Sequence, residues 1–338
     1  MKNILRIALI AGGLSLFSCS TQQQEQSRFP VTDRRYDSEF PIESVSDELA
    51  YLSTTVRKLD CLVFYMTYVF PPDNVLDKNS LTEQVLKQYS LSGEVTNESV
   101  SGTATTIYYD GKMLGMLTCA HVVNFPDSLF NYYAQGGLHS VSVKLKQQNF
   151  VAGLPDGESV EIVALDEKKD IALLRKVLST HEQQPAVLNY SIGKAKDLEW
   201  GTVVYTMGYP LGNLMVTRAI VSNPAKNGNG MFLTDALFNH GISGSPVLAL
   251  RDGVPNFEWV GMASSSSAQS IYYLKPATDT PQLVAPNSSY SGEVFVDHKK
   301  SINYGVTYSV RIEDVVKFIS ENKKLLQERG FDMDLFFK

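Results

Sequence analysis

Gly241-Ile242-Ser243-Gly244-Ser245-Pro246-Val247 sets a serine between glycines just ahead of an apolar run. Glycines allow the tight backbone that brings successive N–H groups toward one point, and Pro246 suits the first position of a strand. A serine hydroxyl scarcely ionises near neutral pH, so it becomes a nucleophile only beside a base. Upstream, Thr118-Cys119-Ala120-His121-Val122-Val123 closes an apolar run and delivers a histidine at its end. Imidazole titrates near working pH and suits the base. Between the two, Asp170-Ile171-Ala172-Leu173-Leu174 puts a carboxylate at the mouth of a buried strand. A carboxylate there can hold the imidazole in one tautomer. Each string alone has a plain structural reading: a core histidine, a turn aspartate, a tight loop. Together, in the order His121, Asp170, Ser243, they point to acyl transfer, with the N–H groups of Gly241 and Ser243 donating to the oxyanion. Asp166 is the fallback carboxylate, but only Asp170 directly precedes the apolar run. The order excludes an α/β-hydrolase, which needs Gly-x-Ser-x-Gly and a serine that comes first; position 245 is Ser.

Short runs rich in β-branched and aromatic residues surround these strings. In the first half they are Cys61 to Phe70, Thr103 to Tyr109, Met113 to Thr118, Ser140 to Leu145, Ser159 to Val163 and Ile171 to Arg175. The second half has Val203 to Met207, Ala219 to Ser222, Met231 to Leu233, Val247 to Leu250, Trp259 to Ala263 and Tyr304 to Val310. Two sets of six strands punctuated by turns predict an all-β fold of two packed Greek-key barrels. Helices are expected at Glu48 to Leu59, around Leu81 to Tyr89, and from Ile312 to a stop at Gly330. The predicted division is a first barrel over 46–187 with a polar insertion at 71–99, and a second over 188–310 with a long loop at 264–300. A helix and tail follow at 311–338.

The three strings resemble the trypsin/chymotrypsin-like serine peptidases, in their bacterial branch. T-C-A-H-V-V is similar to the T-x-A-H-V-V of HtrA/Deg proteases, and D-I-A-L-L to their D-L-A-L-L. G-I-S-G-S-P-V is closer to the G-N-S-G-S-P-V of bacterial glutamyl endopeptidases than to the HtrA G-N-S-G-G-P. Met207-Gly208-Tyr209-Pro210, Thr234-Asp235-Ala236, Val260-Gly261-Met262 and Tyr304 to Val310 extend the likeness over roughly Ala50 to Lys323. The resemblance implies a serine endopeptidase acting on proteins or peptides without a cofactor or metal. His121 would be its base, Asp170 its orienting carboxylate and Ser243 its nucleophile. The likeness covers the peptidase domain alone, so it implies no peptide-regulated accessory domain.

The resemblance also places a substrate pocket around Leu237, Phe238, His240, Met262 and Ala263. Glutamyl endopeptidases carry a histidine where this chain has Ala263, so specificity for Glu is not implied. His240 is read as a turn residue or a specificity element. The resemblance brings the segment around Leu237 and Phe238 to the primary specificity pocket. Neither is Asp or Glu, which would select Lys or Arg, so a small or medium apolar side chain is expected. Because a fold does not guarantee turnover, a binding or scaffold protein on the same framework is the rival reading. The intact triad disfavours it.

Met1 to Phe17 has the positive start and short apolar stretch of a secretory signal, broken by Gly12, Gly13 and Ser15. Leu16-Phe17-Ser18-Cys19 resembles a bacterial lipoprotein cleavage box. The expectation is a signal peptide over 1–18 and lipidation of Cys19. A flexible tether to residue 45 would then hold the protein in the bacterial cell envelope. Lys plus Arg total 30 against 36 Asp plus Glu, so a nucleic-acid partner is not expected. Three cysteines without Cys-x-x-Cys spacing give neither a disulfide framework nor a structural zinc site. After Cys19, Cys61 and Cys119 either pair or remain two buried thiols.

Overall fold

The β-branched run that starts at Val56 becomes the first long strand of two sheets. The computed structural model describes residues 32–133, 136–154, 159–179, 184–224, 231–276 and 294–337. The expected signal segment and Cys19 lie outside the described residues. The first sheet contains β1 (Val56–Val69), β2 (Ser92–Tyr109), β3 (Met113–Thr118), β4 (Ser128–Tyr132), β5 (Leu138–Val151), β6 (Glu161–Asp166) and β7 (Ile171–Val177). The second contains β8 (Ser191–Ile192), β9 (Val203–Gly208), β10 (Met215–Asn223), β11 (Met231–Thr234), β12 (Pro246–Leu250), β13 (Phe257–Pro276) and β14 (Val294–Arg311).

The first sheet runs β4-β5-β1-β2-β3-β7-β6. A bridge between Phe150 and Ser159 brings the end of β5 to the chain entering β6, so six strands curl round and β4 lies outside. The second runs β12-β9-β10-β11-β14-β13-β8, and a further β12–β13 pairing closes six of its strands into a ring. The expected pair of six-stranded barrels is therefore present, each with one added strand. Closure leaves few exposed edges and encloses the side chains that alternate inward. Trp259, Tyr65, Tyr108 and Phe232 are fully buried, and a continuous apolar cluster runs from one barrel to the other.

Four expectations are corrected. Helix α1 covers Ser46–Thr55, not Glu48 to Leu59, because Val56 to Leu59 pair with Thr105 to Gly102 of β2. The insertion at 71–99 holds α2 (Glu83–Tyr89), capped by the Thr82 hydroxyl, but from Ser92 onward it is strand. Its Leu86 joins Tyr68, Phe70, Leu138 and Val141 in a small core of their own. The stretch at 264–300 is a long hairpin for most of its described length, with Gln269 opposite Ser301 and Pro276 opposite Val294. Neither segment shows apolar alternation, so only the pairing partner reveals the strand.

The fourth correction concerns the tether, whose last part is docked. Asp37 N–H donates to Leu250 O at 2.9 Å and Asp37 O accepts from Val203 N–H at 2.8 Å. Tyr36 is buried beneath the Arg251 guanidinium, 3.9 Å from its ring centroid. Its hydroxyl donates to Glu258 Oε2 at 2.6 Å. The chain closes on α4 (Ile312–Glu321) and α5 (Lys323–Glu328). Ile312, Val315, Phe318 and Ile319 face inward on the helical repeat.

Candidate active site

His121 is delivered by the end of β3, within the single turn α3 (Ala120–Val123). Asp170 ends the β6–β7 turn at φ +59°, a left-handed conformation that Asp tolerates better than most residues. From there it reaches back to the histidine turn. Asp170 Oδ2 lies 2.8 Å from His121 Nδ1. Asp170 Oδ1 accepts the His121 backbone N–H at 2.9 Å, so one carboxylate fixes both the ring and the backbone that carries it. On the other side of the ring, His121 Nε2 stands 3.0 Å from Ser243 Oγ. The predicted base, carboxylate and nucleophile are thus one hydrogen-bonded chain. Asp166 instead accepts the Lys169 N–H within its own turn.

Ser264 completes the arrangement and was not foreseen. Its hydroxyl donates to Asp170 Oδ2 at 2.5 Å, and its carbonyl accepts from Ser243 Oγ at 2.7 Å. The serine hydroxyl has one proton and two acceptors, Ser264 O and His121 Nε2; attack requires the second. Burial raises the Asp170 pKa, but the His121 ring, the Ser264 hydroxyl and the His121 N–H outweigh it and hold the carboxyl below its usual range.

The serine loop belongs to the second barrel yet is gripped by the first. Thr103 N–H donates to Ser243 O at 2.8 Å. The Thr103 hydroxyl donates to Gly241 O at 2.7 Å and accepts the Tyr209 N–H at 3.0 Å. The Thr105 hydroxyl donates to Gly244 O at 2.8 Å. Thr118 holds Thr103 in turn, donating to its carbonyl at 2.8 Å. All three threonines are buried. Their only signal in the sequence is hydroxyls inside otherwise apolar strands.

Replacing Thr103 by Val keeps the shape and strips both side-chain bonds. Buried groups left unpaired cost about 1–3 kcal/mol, so a loss of that size is expected in denaturant unfolding. A fall in kcat larger than any rise in KM should accompany it, since the loop it holds contacts the reacting atoms. An unchanged kcat would show that Thr103 supports only the fold.

Gly241 adopts φ +104° and Gly244 φ +95°. His240 O accepts from Leu211 N–H and Ile242 O accepts from Ser245 N–H. Because a trans peptide points its N–H opposite its carbonyl, the N–H groups of Gly241 and Ser243 are turned away from those partners. Among the expected pocket residues, Leu237 is 67% exposed while Phe238 is 2% and Met262 and Ala263 are 0% exposed. His240 stands at the surface, and its N–H is held by the Asn239 side chain at 2.9 Å as in a turn. Cys61 and Cys119 are both free and buried. Of the two readings left open by the sequence, the unpaired thiols are therefore the ones found.

A model of the trypsin-like peptidase domain matches residues 102–262, the span that holds all three residues. The serine protease HTR4 of Bos taurus is 28% identical over 155 residues, 42% of this chain and 30% of that protein. HTRA1 of Xenopus tropicalis is 30% identical over 135 residues, 37% of this chain and 27% of that protein. A probable periplasmic serine endoprotease, DegP-like, of Rickettsia conorii is 25% identical over 210 residues, 59% of this chain and 37% of that protein. The chain thus spans about a third of the length of these curated relatives. Among solved structures, an HtrA-type protease, AlgW with a tripeptide, is 16% identical with a TM-score of 0.42. That match covers 83% of this chain and 64% of the other. Residues 102–262 thus match the trypsin-like peptidase domain, and the curated relatives similar to this chain are serine proteases of the HtrA and DegP-like kinds.

Proposed function

We propose that the chain is a serine endopeptidase that cleaves peptide bonds through Ser243, His121 and Asp170. The observation that carries this reading is the unbroken chain of contacts, 2.8 Å from Asp170 Oδ2 to His121 Nδ1 and 3.0 Å from His121 Nε2 to Ser243 Oγ. His121 Nε2 takes the hydroxyl proton as Ser243 Oγ attacks the substrate carbonyl carbon. Asp170 stabilises the imidazolium that forms. The N–H groups of Gly241 and Ser243 receive the developing oxyanion. His121 then gives its proton to the leaving amine, leaving an acyl group on Ser243, and water repeats the sequence to release the acid. No metal or cofactor takes part. Leu237, exposed and apolar, favours a small or medium apolar side chain before the cleaved bond.

The proposed setting is the bacterial cell envelope, with the leader over 1–18 removed and Cys19 lipidated. Among the described residues no helix is long and apolar enough to cross a membrane. In this reading the segment from Asp33, bonded to the second barrel through Asp252, is not part of the tether.

Labelling of the purified chain with a fluorophosphonate tests the chemistry without knowledge of the substrate. The parent should label and Ser243→Ala should not. A folded parent that fails to label would favour the rival reading, a binding protein on a peptidase framework.

A further inference from the structure

Cys119 is a buried nucleophilic group that the peptidase mechanism does not use. Its side chain is 0% exposed, it has no disulfide partner, and its Sγ donates to Ala263 O at 3.2 Å. It lies against the triad: one ligand atom each from Cys119, His121 and Asp170 fall within 4.8 Å of one another. Sulfur, imidazole nitrogen and carboxylate oxygen are the donor set of zinc, and three protein ligands with water in the fourth position make a common zinc geometry. Tetrahedral zinc, with Zn–S near 2.3 Å and Zn–N near 2.0 Å, places those two donors roughly 3.5 Å apart. The present spacing therefore needs adjustments on the order of 1 Å. The His121 side chain is 44% exposed and that of Asp170 14%, so two of the three donors belong to side chains that solvent reaches.

We propose that Cys119, His121 and Asp170 form an inhibitory site for a thiophilic divalent cation, represented by Zn2+. The inference rests on the peptidase reading only for its effect on turnover. The cation takes Cys119 Sγ, His121 Nδ1 and one Asp170 oxygen. The thiol S–H bond breaks, its proton goes to solvent and an S–Zn bond forms. Nδ1 gives up its proton to make the N–Zn bond, and the neutral ring carries that proton on Nε2 instead. One proton is released for each Zn2+ bound. Nε2 then faces Ser243 with N–H where a lone pair is needed. The nucleophile is silenced from the far side of the imidazole, without any contact between cation and serine.

Cobalt(II) reads out the site independently of activity. Added to the purified, chelator-stripped full chain, Co2+ should give a thiolate-to-cobalt absorption in the near ultraviolet that Zn2+ displaces. The absorption should persist in Ser243→Ala and vanish in Cys119→Ala, which still contains Cys61. It should also weaken in His121→Ala, a surface-accessible change that keeps the fold testable if the buried variant does not fold. In turnover or fluorophosphonate labelling, Zn2+ should lower the rate at saturating substrate with little change in KM, and a chelator should restore it. The Zn2+ concentration for half-inhibition should rise by about tenfold or more in Cys119→Ala and stay put in His240→Ala. A folded parent with no cobalt–thiolate absorption overturns the proposal, as does equal zinc sensitivity in parent and Cys119→Ala. A parent that gives the absorption but no turnover leaves the cation site standing and sinks the peptidase reading instead.

Discussion

Asp170→Asn should lower kcat about ten-thousandfold with little change in fold or KM. Asn tolerates the φ of +59° that position 170 adopts, and its carbonyl oxygen can keep the bond to the His121 backbone N–H. The amide NH2 then stands where Oδ2 lies 2.8 Å from Nδ1. An NH2 there donates, so Nδ1 must accept and the ring proton moves to Nε2. The Ser264 hydroxyl can turn and accept from the same amide, which spares the fold. Steady-state kinetics on any peptide that the parent cleaves decides the matter; a loss below about tenfold would mean that Asp170 is not the orienting carboxylate.

The same substitution has a consequence in acid. The folded-state pKa of Asp170 lies below the ordinary value because the favourable bonds from His121 and Ser264 outweigh burial. A carboxyl depressed on folding stabilises the protein above its unfolded pKa, and that contribution is lost as pH falls through the lower folded value. Acid unfolding of Asp170→Asn should therefore fall less steeply with pH than that of the parent, measured as denaturant midpoints across the acid range.

Gly244→Ala should destabilise the protein by roughly 2–6 kcal/mol, the sum of backbone strain and overpacking. At φ +95° an added Cβ would meet Thr103 O at 2.1 Å and Thr118 Oγ1 at 2.7 Å. Both atoms belong to the first barrel, so relief requires the two barrels to part at the nucleophile. Gly111 shares the φ of +95° but would meet nothing within 4 Å. Gly111→Ala therefore isolates the backbone cost, about 1–2 kcal/mol. Equal unfolding losses in the two variants would show that the contact with Thr103 carries no weight.

Much of this arrangement was legible in the sequence because catalysis demands particular residue types. The proposed chemistry needs a base, an orienting carboxylate and a serine, and each is marked in this sequence by glycine or by a bordering apolar strand. The two barrels were legible through apolar runs, since Ile171 to Leu174 of β7 and all of β12 are buried on both faces. The supports were not. Thr103, Thr105 and Ser264 are ordinary strand residues until pairing places their hydroxyls on the serine loop or on Asp170. The long hairpin at 264–300 opens with Ser264 to Ser267, where no alternation marks a buried face. Tyr36 gave no hint of docking because its neighbours are polar and charged; its partners Arg251 and Glu258 lie more than 200 positions away.

The grip of Thr103 and Thr105 on the serine loop bears on when the proposed peptidase site is complete. Synthesis releases the N-terminal part first. The first barrel thus leaves the ribosome with His121 and Asp170 already facing each other and nothing to activate. Ser243 emerges later on a loop whose carbonyls find their hydroxyl partners only across the barrel interface, and Ser264 reaches Asp170 only from β13. The second ring closes only when β14 pairs with β11 and β13. A nascent or half-unfolded chain therefore carries all three proposed catalytic residues before the contacts that align them exist, and the proposed activity waits for the last strand.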